Sequence, residues 1–296
     1  VKFLCPAPGY DRHFGITQYF GVEMITVPMT SAGPDMDMVE ELVNSDPTVK
    51  GIWCIPKYSN PTGITYSDET VRRFASLKPA AEDFRIFWDN AYCVHDLTDT
   101  PDNLLDLYAE CLKNGTQELP IMFASTSKIT FPGAGVAAMA AGPETIQVLR
   151  EHFSFQTIGP DKLNQLRHIA FLKDKYGVRG QMLRHRRILE PKFQTVLRKL
   201  ESELGGTGTA EWTHPNGGYF VSVDVMPGCA KRVVQLCKEA GVTLTGAGAT
   251  FPYGKDPKDS NIRVAPTYPP VSELETAMDL FCLSVRLAAC EKLLAQ

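Results

Sequence analysis

A lysine that follows two serines is the first candidate for chemistry in this sequence. Residues 123–128 are Phe-Ala-Ser-Thr-Ser-Lys, so a predicted strand ends, hydroxyl groups follow, and then comes Lys128. Lysine forms Schiff bases with carbonyl compounds where burial or a partner lets its ammonium lose a proton. We expect Phe-Pro-Gly at 131–133 to shield Lys128, and Ser125 and Ser127 could bind a phosphate. Taken alone, the segment is better explained as an ordinary loop.

A carboxylate marks the end of another predicted strand. Residues 87–92 are Phe-Trp-Asp-Asn-Ala-Tyr, and Asp89 there is costly to bury unless a cation meets it. A protonated pyridine nitrogen is such a cation, and the pairing keeps the ring able to accept electrons. Tyr92 could donate to a phenolate oxygen of the same ring. The competing interpretation is a helix N-cap followed by a packed tyrosine.

Two further polar residues lie near predicted strand ends. Tyr-Ser-Asn-Pro-Thr-Gly at 58–63 indicates a tight turn, from which Asn60 could donate to the same ring oxygen. Arg263 lies inside an apolar strand at 262–265, and no acid adjoins it in the sequence. Its planar fork suits a carboxylate. A plain turn and a structural salt bridge are the alternatives.

The elements that position these residues follow an α/β pattern. In roughly the first half of the chain, apolar runs alternate with amphipathic stretches. All four candidate segments fall at or near strand ends, where the ligands of α/β sheets gather. The predicted strands are 2–5, 23–27, 51–55, 84–88, 121–124 and 136–141, with helices at 36–43 and 70–76 among others.

The second half differs in character. A basic helical stretch near 160–204, interrupted at Tyr176 and Gly177, leads into a smaller α+β unit. We therefore predict a large domain at 1–165, connector helices at 166–200 and a small domain at 201–296. Because the chain starts inside a predicted core strand, we expect part of the large domain to precede it. The small unit's predicted elements are strands 219–225 and 262–265 and helices 230–239 and 271–294.

Composition and residue spacing argue against several classes of protein. Lys plus Arg number 30 against 34 for Asp plus Glu, a net charge of −4, which argues against nucleic-acid or membrane-surface binding. No apolar run is long enough to span a bilayer. The eight cysteines form no Cys-x-x-Cys pair and the six histidines no ligand cluster. We therefore expect reduced thiols, a cytoplasmic location and no metal.

Together the segments resemble the fold-type I enzymes that use pyridoxal phosphate (PLP), namely class I aminotransferases, and most closely a divergent subgroup of aspartate aminotransferases. The resemblance spans nearly the whole chain and is less specific for the substrate than for the superfamily. It implies a large PLP-binding α/β domain with a mixed, mostly parallel sheet between helices, incomplete at its N-terminus, and a smaller C-terminal α+β domain. The phrases that carry it are Pro-Gly-Tyr-Asp-Arg-His-Phe (8–14), Lys-Tyr-Ser-Asn-Pro-Thr-Gly (57–63), Trp-Asp-Asn-Ala-Tyr (88–92), Ser-Thr-Ser-Lys (125–128), Pro-Asn-Gly-Gly-Tyr-Phe (215–220) and Ile-Arg-Val-Ala-Pro (262–266).

The resemblance also implies a role for each candidate residue. Lys128 would form the internal aldimine with PLP and then move the proton between substrate and cofactor. For the others it implies that Asp89 holds the pyridinium, Tyr92 and Asn60 bind the ring oxygen, Ser125 and Ser127 bind the phosphate, Tyr10 stacks on the ring, and Arg263 with Asn60 binds the substrate α-carboxylate. One position departs from the pattern, since the arginine of the family's Pro-Gly-x-Arg is Gly135 here. The phosphate would then be held by backbone amides at a helix N-terminus.

The resemblance implies a homodimeric transaminase that converts L-aspartate and 2-oxoglutarate to oxaloacetate and L-glutamate. Three alternatives share most of these residues: an aminotransferase of another specificity, a PLP lyase, and a non-enzymatic effector module of a regulator.

Overall fold

A seven-stranded sheet runs through the first half of the chain, in a computed structural model that describes residues 1–295. Its order is β3-β2-β1-β4-β5-β6-β7. The five inner strands are parallel, and β3 and β7 are antiparallel edges. The mixed, mostly parallel sheet is therefore confirmed. The strands are β1 (Lys2–Ala7), β2 (Glu23–Thr30), β3 (Gly33–Pro34), β4 (Val49–Cys54), β5 (Arg85–Asp89), β6 (Pro120–Ser125) and β7 (Ala137–Ala141).

Helices cover both faces of this sheet. Side chains alternate along β1, so Leu4 packs in one apolar cluster with α2, α3 and α4, while Cys5 packs in another with α1. Each helix buries a single face, as Met36, Val39 and Val43 do on α2. The helices are α1 (Asp11–Tyr19), α2 (Met36–Ser45), α3 (Asp68–Ala75) and α4 (Leu107–Asn114).

The strand order creates a crevice at one edge of the sheet. The chain leaves β1 for β2 on one side and returns to β4 on the other side of β1. The loops after β1 and β4 therefore diverge, which is where parallel sheets bind ligands. All the predicted site segments of this half follow the carboxyl ends of β1, β4, β5 or β6.

A three-stranded antiparallel sheet, in the order β10-β9-β8, organises the second half. Its core combines β9 and β10 with apolar faces of α7, α8 and α9. The predicted helices at 230–239 and 271–294 are confirmed at both ends. The elements are α5 (Pro143–Gln156), α6 (Lys162–Leu172), α7 (Lys175–Leu204), β8 (Ala210–Trp212), β9 (Val221–Val225), α8 (Ala230–Glu239), a 3₁₀ turn (Pro252–Gly254), β10 (Asn261–Val264) and α9 (Val271–Leu294).

The predicted helix break at Tyr176 and Gly177 is wrong. Both residues lie in the first turn of α7, and the interruption falls at Lys173 and Asp174. Lys173 has a φ of 63°, and the Asp174 carboxylate caps α7 by accepting hydrogen bonds from the backbone amides of Tyr176 and Gly177. The cap, rather than the glycine, determines where the helix begins.

The C-terminal half of α7 belongs to the second core. Phe193, Val196 and Leu200 pack there with Phe281 of α9, so the helix is more than a connector. The predicted domain boundaries remain predictions. Among residues 1–295, no helix combines the length and apolarity needed to cross a bilayer.

Candidate active site

Lys128 lies in a turn just beyond β6, with its amine over an aromatic ring. The Nζ atom is 4.8 Å from the centroid of the Tyr92 ring. Burial lowers the pKa of the Lys128 ammonium, and the Asp89 carboxylate partly opposes that shift. A lysine in this setting loses its proton more readily than one in water, as a carbonyl-binding amine must.

The expected shield for Lys128 is wrong. Phe131 is 73% exposed, and Pro132 and Gly133 are exposed as well. Tyr92, which is buried, provides the cover instead. The Lys128 backbone is also held, since its carbonyl oxygen accepts from the Tyr219 hydroxyl at 3.1 Å and lies 3.3 Å from Nε2 of His95.

Asp89 is the last residue of β5, and both of its carboxylate oxygens have partners. Oδ1 accepts a hydrogen bond from the backbone amide of Ala91 at 3.1 Å. Oδ2 lies 3.1 Å from Nε2 of His13, whose ring is stacked on Trp53 with centroids 4.3 Å apart. The N-cap interpretation is wrong, because residues 91–94, which follow Asp89 closely, form turns rather than a helix.

His13 is a site residue that sequence reasoning missed. It is buried on α1, one turn after Tyr10, and the two rings meet edge to face at 5.1 Å. Tyr10 packs in the same apolar cluster as Tyr92, and burial raises the pKa of both hydroxyls. The spacing of Tyr10 and His13 within the segment 8–14 was the available signal, since residues three apart share a helix face.

Arg263 meets an acid that the sequence does not place near it. Its Nη1 donates to Oδ1 of Asp11 at 2.9 Å and to Oδ1 of Asn60 at 3.1 Å. The guanidinium also lies over the Phe220 ring, 5.0 Å from the centroid. The salt bridge that the sequence left open as an alternative is therefore present, because α1 brings Asp11 to Arg263 across 252 positions.

The site thus joins the loops after four parallel strands to Arg263 of β10, and comparison with known proteins agrees. Residues 1–296 match a family model described as aspartate amino-transferase. The chain belongs to this family. It is an aminotransferase, and enzymes of this family and fold use PLP.

Individual relatives are similar over almost the whole chain. A Mycolicibacterium smegmatis protein named as an aminotransferase is 54% identical over 294 residues, which are 99% of this chain and 69% of the relative. An aspartate aminotransferase of Corynebacterium glutamicum is 50% identical over 291 residues, 98% of this chain and 67% of that protein. The crystal structure of an aspartate transaminase from the same species superposes with a TM-score of 0.96 at 50% identity, covering 99% of this chain and 69% of the other.

The aminotransferase's side chains fit PLP at the ring and the aldehyde. Lys128 offers an amine of lowered pKa, and Asp89 offers a half-buried carboxylate for a pyridinium. Three buried polar atoms of the site have no hydrogen-bond partner within residues 1–295. They are Oδ1 of Asn90 and Nδ1 of His95, in the loop after β5, and Nε of Arg263 on β10. Partly unsatisfied polar groups of this kind indicate a site that binds a polar ligand.

The turn predicted to bind the phosphate presents the hydroxyl groups of Ser125 and Ser127, and position 135 is glycine rather than arginine. Ser125 and Ser127 lie half-buried at the end of β6, and the Ser125 hydroxyl accepts from the Ser127 amide at 3.4 Å. A Cβ at Gly135 would lie 2.9 Å from Oγ and 3.1 Å from the backbone nitrogen of Ser127, so a side chain at 135 would require the serine turn to shift. Residues 127–129 form a turn, and the expectation that a helix N-terminus holds the phosphate stays a prediction.

Helix α6 packs against the serine turn and the glycine segment of the aminotransferase. Asn164 donates to the carbonyl oxygens of Ala134 and Gly135, at 2.7 and 3.2 Å. His168 donates from Nδ1 to its own helix and accepts at Nε2 from the Thr126 hydroxyl, at 2.9 Å. These contacts hold the serine turn and the glycine segment together.

Proposed function

We propose that this aminotransferase converts L-aspartate and 2-oxoglutarate to oxaloacetate and L-glutamate, with Lys128 as the cofactor-bearing residue. The observation that carries the proposal is the half-buried Lys128 amine, lowered in pKa and placed over Tyr92 beside the Asp89 carboxylate. The choice of aspartate rests on the Corynebacterium glutamicum relative named for that activity.

The residues supply positioning and proton handling. When bound, PLP supplies an aldehyde that condenses with amines and a ring that accepts electrons. Asp89 would hold the ring nitrogen protonated, and the His13 hydrogen bond orients that carboxylate. Lys128, once free, would carry the proton between the carbon atoms of substrate and cofactor, because its lowered pKa suits both uptake and release. Tyr10 would stack on the ring.

The remaining contacts would fix the two ends of the ligands. Tyr92 and Asn60 would donate to the ring oxygen, and Ser125 and Ser127 to the phosphate. Arg263 would receive the substrate α-carboxylate with help from Asn60, to which it is already hydrogen-bonded at 3.1 Å. A bidentate contact of this kind orients the amino group toward Lys128.

The convergence of Lys128, Asp89 and Arg263 favours an enzyme over an effector module, which does not need all three. An aminotransferase of another specificity and a lyase remain the alternatives, and their products differ from oxaloacetate and glutamate. We further propose a homodimer, a cytoplasmic location, and a division into domains near residues 165 and 200. The eight free cysteines fit a reducing compartment.

Borohydride reduction of the holoenzyme tests the cofactor assignment. The cofactor should be fixed to the peptide that contains Lys128, and Lys128→Ala should lose both the visible absorbance and transamination of aspartate. Lys175→Ala is a matched control, because Lys175 also lies over a tyrosine ring, at 5.3 Å, but is exposed. Fixation to another lysine would overturn the assignment, and formation of a product other than oxaloacetate would overturn the specificity.

A further inference from the structure

The guanidinium of Arg263 has strong protein partners on one side, while the other side, called its open edge, keeps unused hydrogen-bond donors. Nη1 is shared by Asp11 and Asn60, at 2.9 and 3.1 Å. Nη2 has one long contact, 3.4 Å to the Thr245 hydroxyl. Nε is buried and has no hydrogen-bond partner within residues 1–295. The two donors that remain for a ligand are therefore Nε and Nη2, which lie along one edge of the fork.

Asp11 reaches Arg263 from a separate part of the fold. It lies in the first turn of α1, directly after Tyr10, whereas Arg263 lies on β10 beside β9. The Asp11 side chain is 37% exposed and that of Arg263 is 11% exposed. A partly exposed pair adds little to stability, so stability alone is a weak reason for an acid at this position.

The pair has a direct consequence for anion binding. Arg263 with Asp11 has no net charge, so a carboxylate that arrives at the open edge meets both an attractive guanidinium and a repulsive carboxylate. Like charges at short range in a partly desolvated site oppose each other strongly. Asp11 therefore holds the guanidinium in place and at the same time weakens its affinity for carboxylates.

We propose that Asp11 is a positioning residue that orients Arg263 through Nη1 and sets the affinity of its open edge for the substrate α-carboxylate. This inference rests on the proposed role of Arg263 as the carboxylate-binding residue. Asp11 stays on Nη1 when substrate binds, and the α-carboxylate binds along Nε and Nη2. The affinity remains moderate, so that the product acid is released.

Binding of succinate, a non-reacting dicarboxylate, to the holoenzyme by calorimetry tests this directly. Asp11→Asn keeps the oxygen that accepts from Nη1 but removes the charge. The Kd should fall roughly three- to thirtyfold at low salt, and the gain should shrink as ionic strength rises. The KM for L-aspartate should fall in parallel. Asp11→Ser is a second variant, since serine also suits a first helical turn.

Asp68→Asn is the matched control. Asp68 is likewise an acid in the first turn of a helix, α3, and is paired on the surface with Arg72. Asp68→Asn changes the net charge by the same amount as Asp11→Asn and also removes an acid from the first turn of a helix. It should nevertheless leave succinate binding unchanged. A raised or unchanged Kd in Asp11→Asn would overturn the inference. The pair of Asp11 and Arg263 would then have only a structural role. If Arg263→Ala also leaves succinate binding unchanged, the proposed role of Arg263 itself fails.

Discussion

The imidazole of His13 donates a hydrogen bond from Nε2 to Oδ2 of Asp89 across 3.1 Å, while its ring lies flat on Trp53. The carboxylate proposed to face the pyridinium is thus held from behind by a ring that cannot easily rotate. A supporting hydrogen bond of this kind orients a functional group at little entropic cost.

Removing the charge of Asp89 should slow the enzyme. Hydrogen bonds to charged groups contribute about 1.5–3 kcal/mol, so Asp89→Asn should lower kcat/KM at least roughly tenfold. His13→Phe preserves the stacking on Trp53 but loses the hydrogen bond, and should cost less. Steady-state kinetics check both variants against Asp83→Asn, an exposed acid paired with Lys50. A wild-type rate in Asp89→Asn would show that Asp89 does not have the proposed role at the pyridinium.

Replacing Arg263 should act on substrate and spare the cofactor. Loss of one member of a charge pair at a binding site costs about 2–5 kcal/mol, so Arg263→Ala should lower kcat/KM roughly 30- to several-thousand-fold. Arg263→Lys restores the charge without the fork and should recover only part of the loss. Arg186→Ala is a control, because Arg186 has similar exposure but pairs with Asp99 and Glu190. A lower Tm with unchanged KM would show a structural role.

His95 should make the fold sensitive to mild acid. Burial lowers the pKa of His95 to about 4, from an ordinary value of 6.5. The unfolded chain therefore takes up a proton in a pH range where the folded chain does not, so stability falls as the pH drops from 6.5 toward 4. The decrease in unfolding free energy attributable to His95 is roughly 3 kcal/mol at most.

His95→Phe tests this with urea unfolding at pH 7 and pH 4.5. The variant keeps the ring packed against Tyr92 and Tyr219 but cannot take up the proton. Its stability should fall less between the two pH values than that of the wild type. It should also be less stable at pH 7, because the contact with the Lys128 carbonyl is lost. If the unfolding free energy of both proteins falls equally between pH 7 and pH 4.5, groups other than His95 cause the loss of stability.

Restoring the family arginine at position 135 should damage the enzyme. A Cβ there would lie 2.9 Å from Oγ and 3.1 Å from the backbone nitrogen of Ser127, so Gly135→Arg must displace the serine turn. We expect a loss of roughly 1–3 kcal/mol in unfolding free energy and weaker PLP binding. Gly180→Ala on α7, where a Cβ meets no atom within 4 Å, is the control and should be neutral or stabilising. Tighter PLP binding in Gly135→Arg would contradict this account.

The exposed apolar residues at the end of α5 and in the loop that follows it should lie in the proposed dimer interface. Phe155 is 93% exposed and Ile158 is fully exposed, which is costly for a monomer. Phe155→Asp combined with Ile158→Asp should shift the protein from dimer to monomer in light scattering, because charges at an interface core repel a second copy. Leu294→Asp, at an exposed position near the end of α9, should leave the mass unchanged. An unaltered dimer would place the interface elsewhere.

Local sequence patterns indicated most of the strands and helices and the residues that follow them. Asn60, Asp89 and Lys128 each come after an apolar run that forms a strand, and local periodicity is enough to show this. The α/β class and the convergence of these loops at one sheet edge follow from the same pattern, since parallel strands end on the same side. Family membership was also readable from these short phrases.

The contacts of each side chain, by contrast, depend on the tertiary structure. Asp11 and Arg263 are 252 positions apart, and His13 and Asp89 are 76 apart. Their pairing depends on β1 lying between β2 and β4, and on where β10 lies relative to α1, neither of which periodicity encodes. The exposure of Phe131 and the close packing of Gly135 on Ser127 depend likewise on neighbours distant in sequence or on backbone approach. Contacts of this kind arise from packing, which local sequence does not determine.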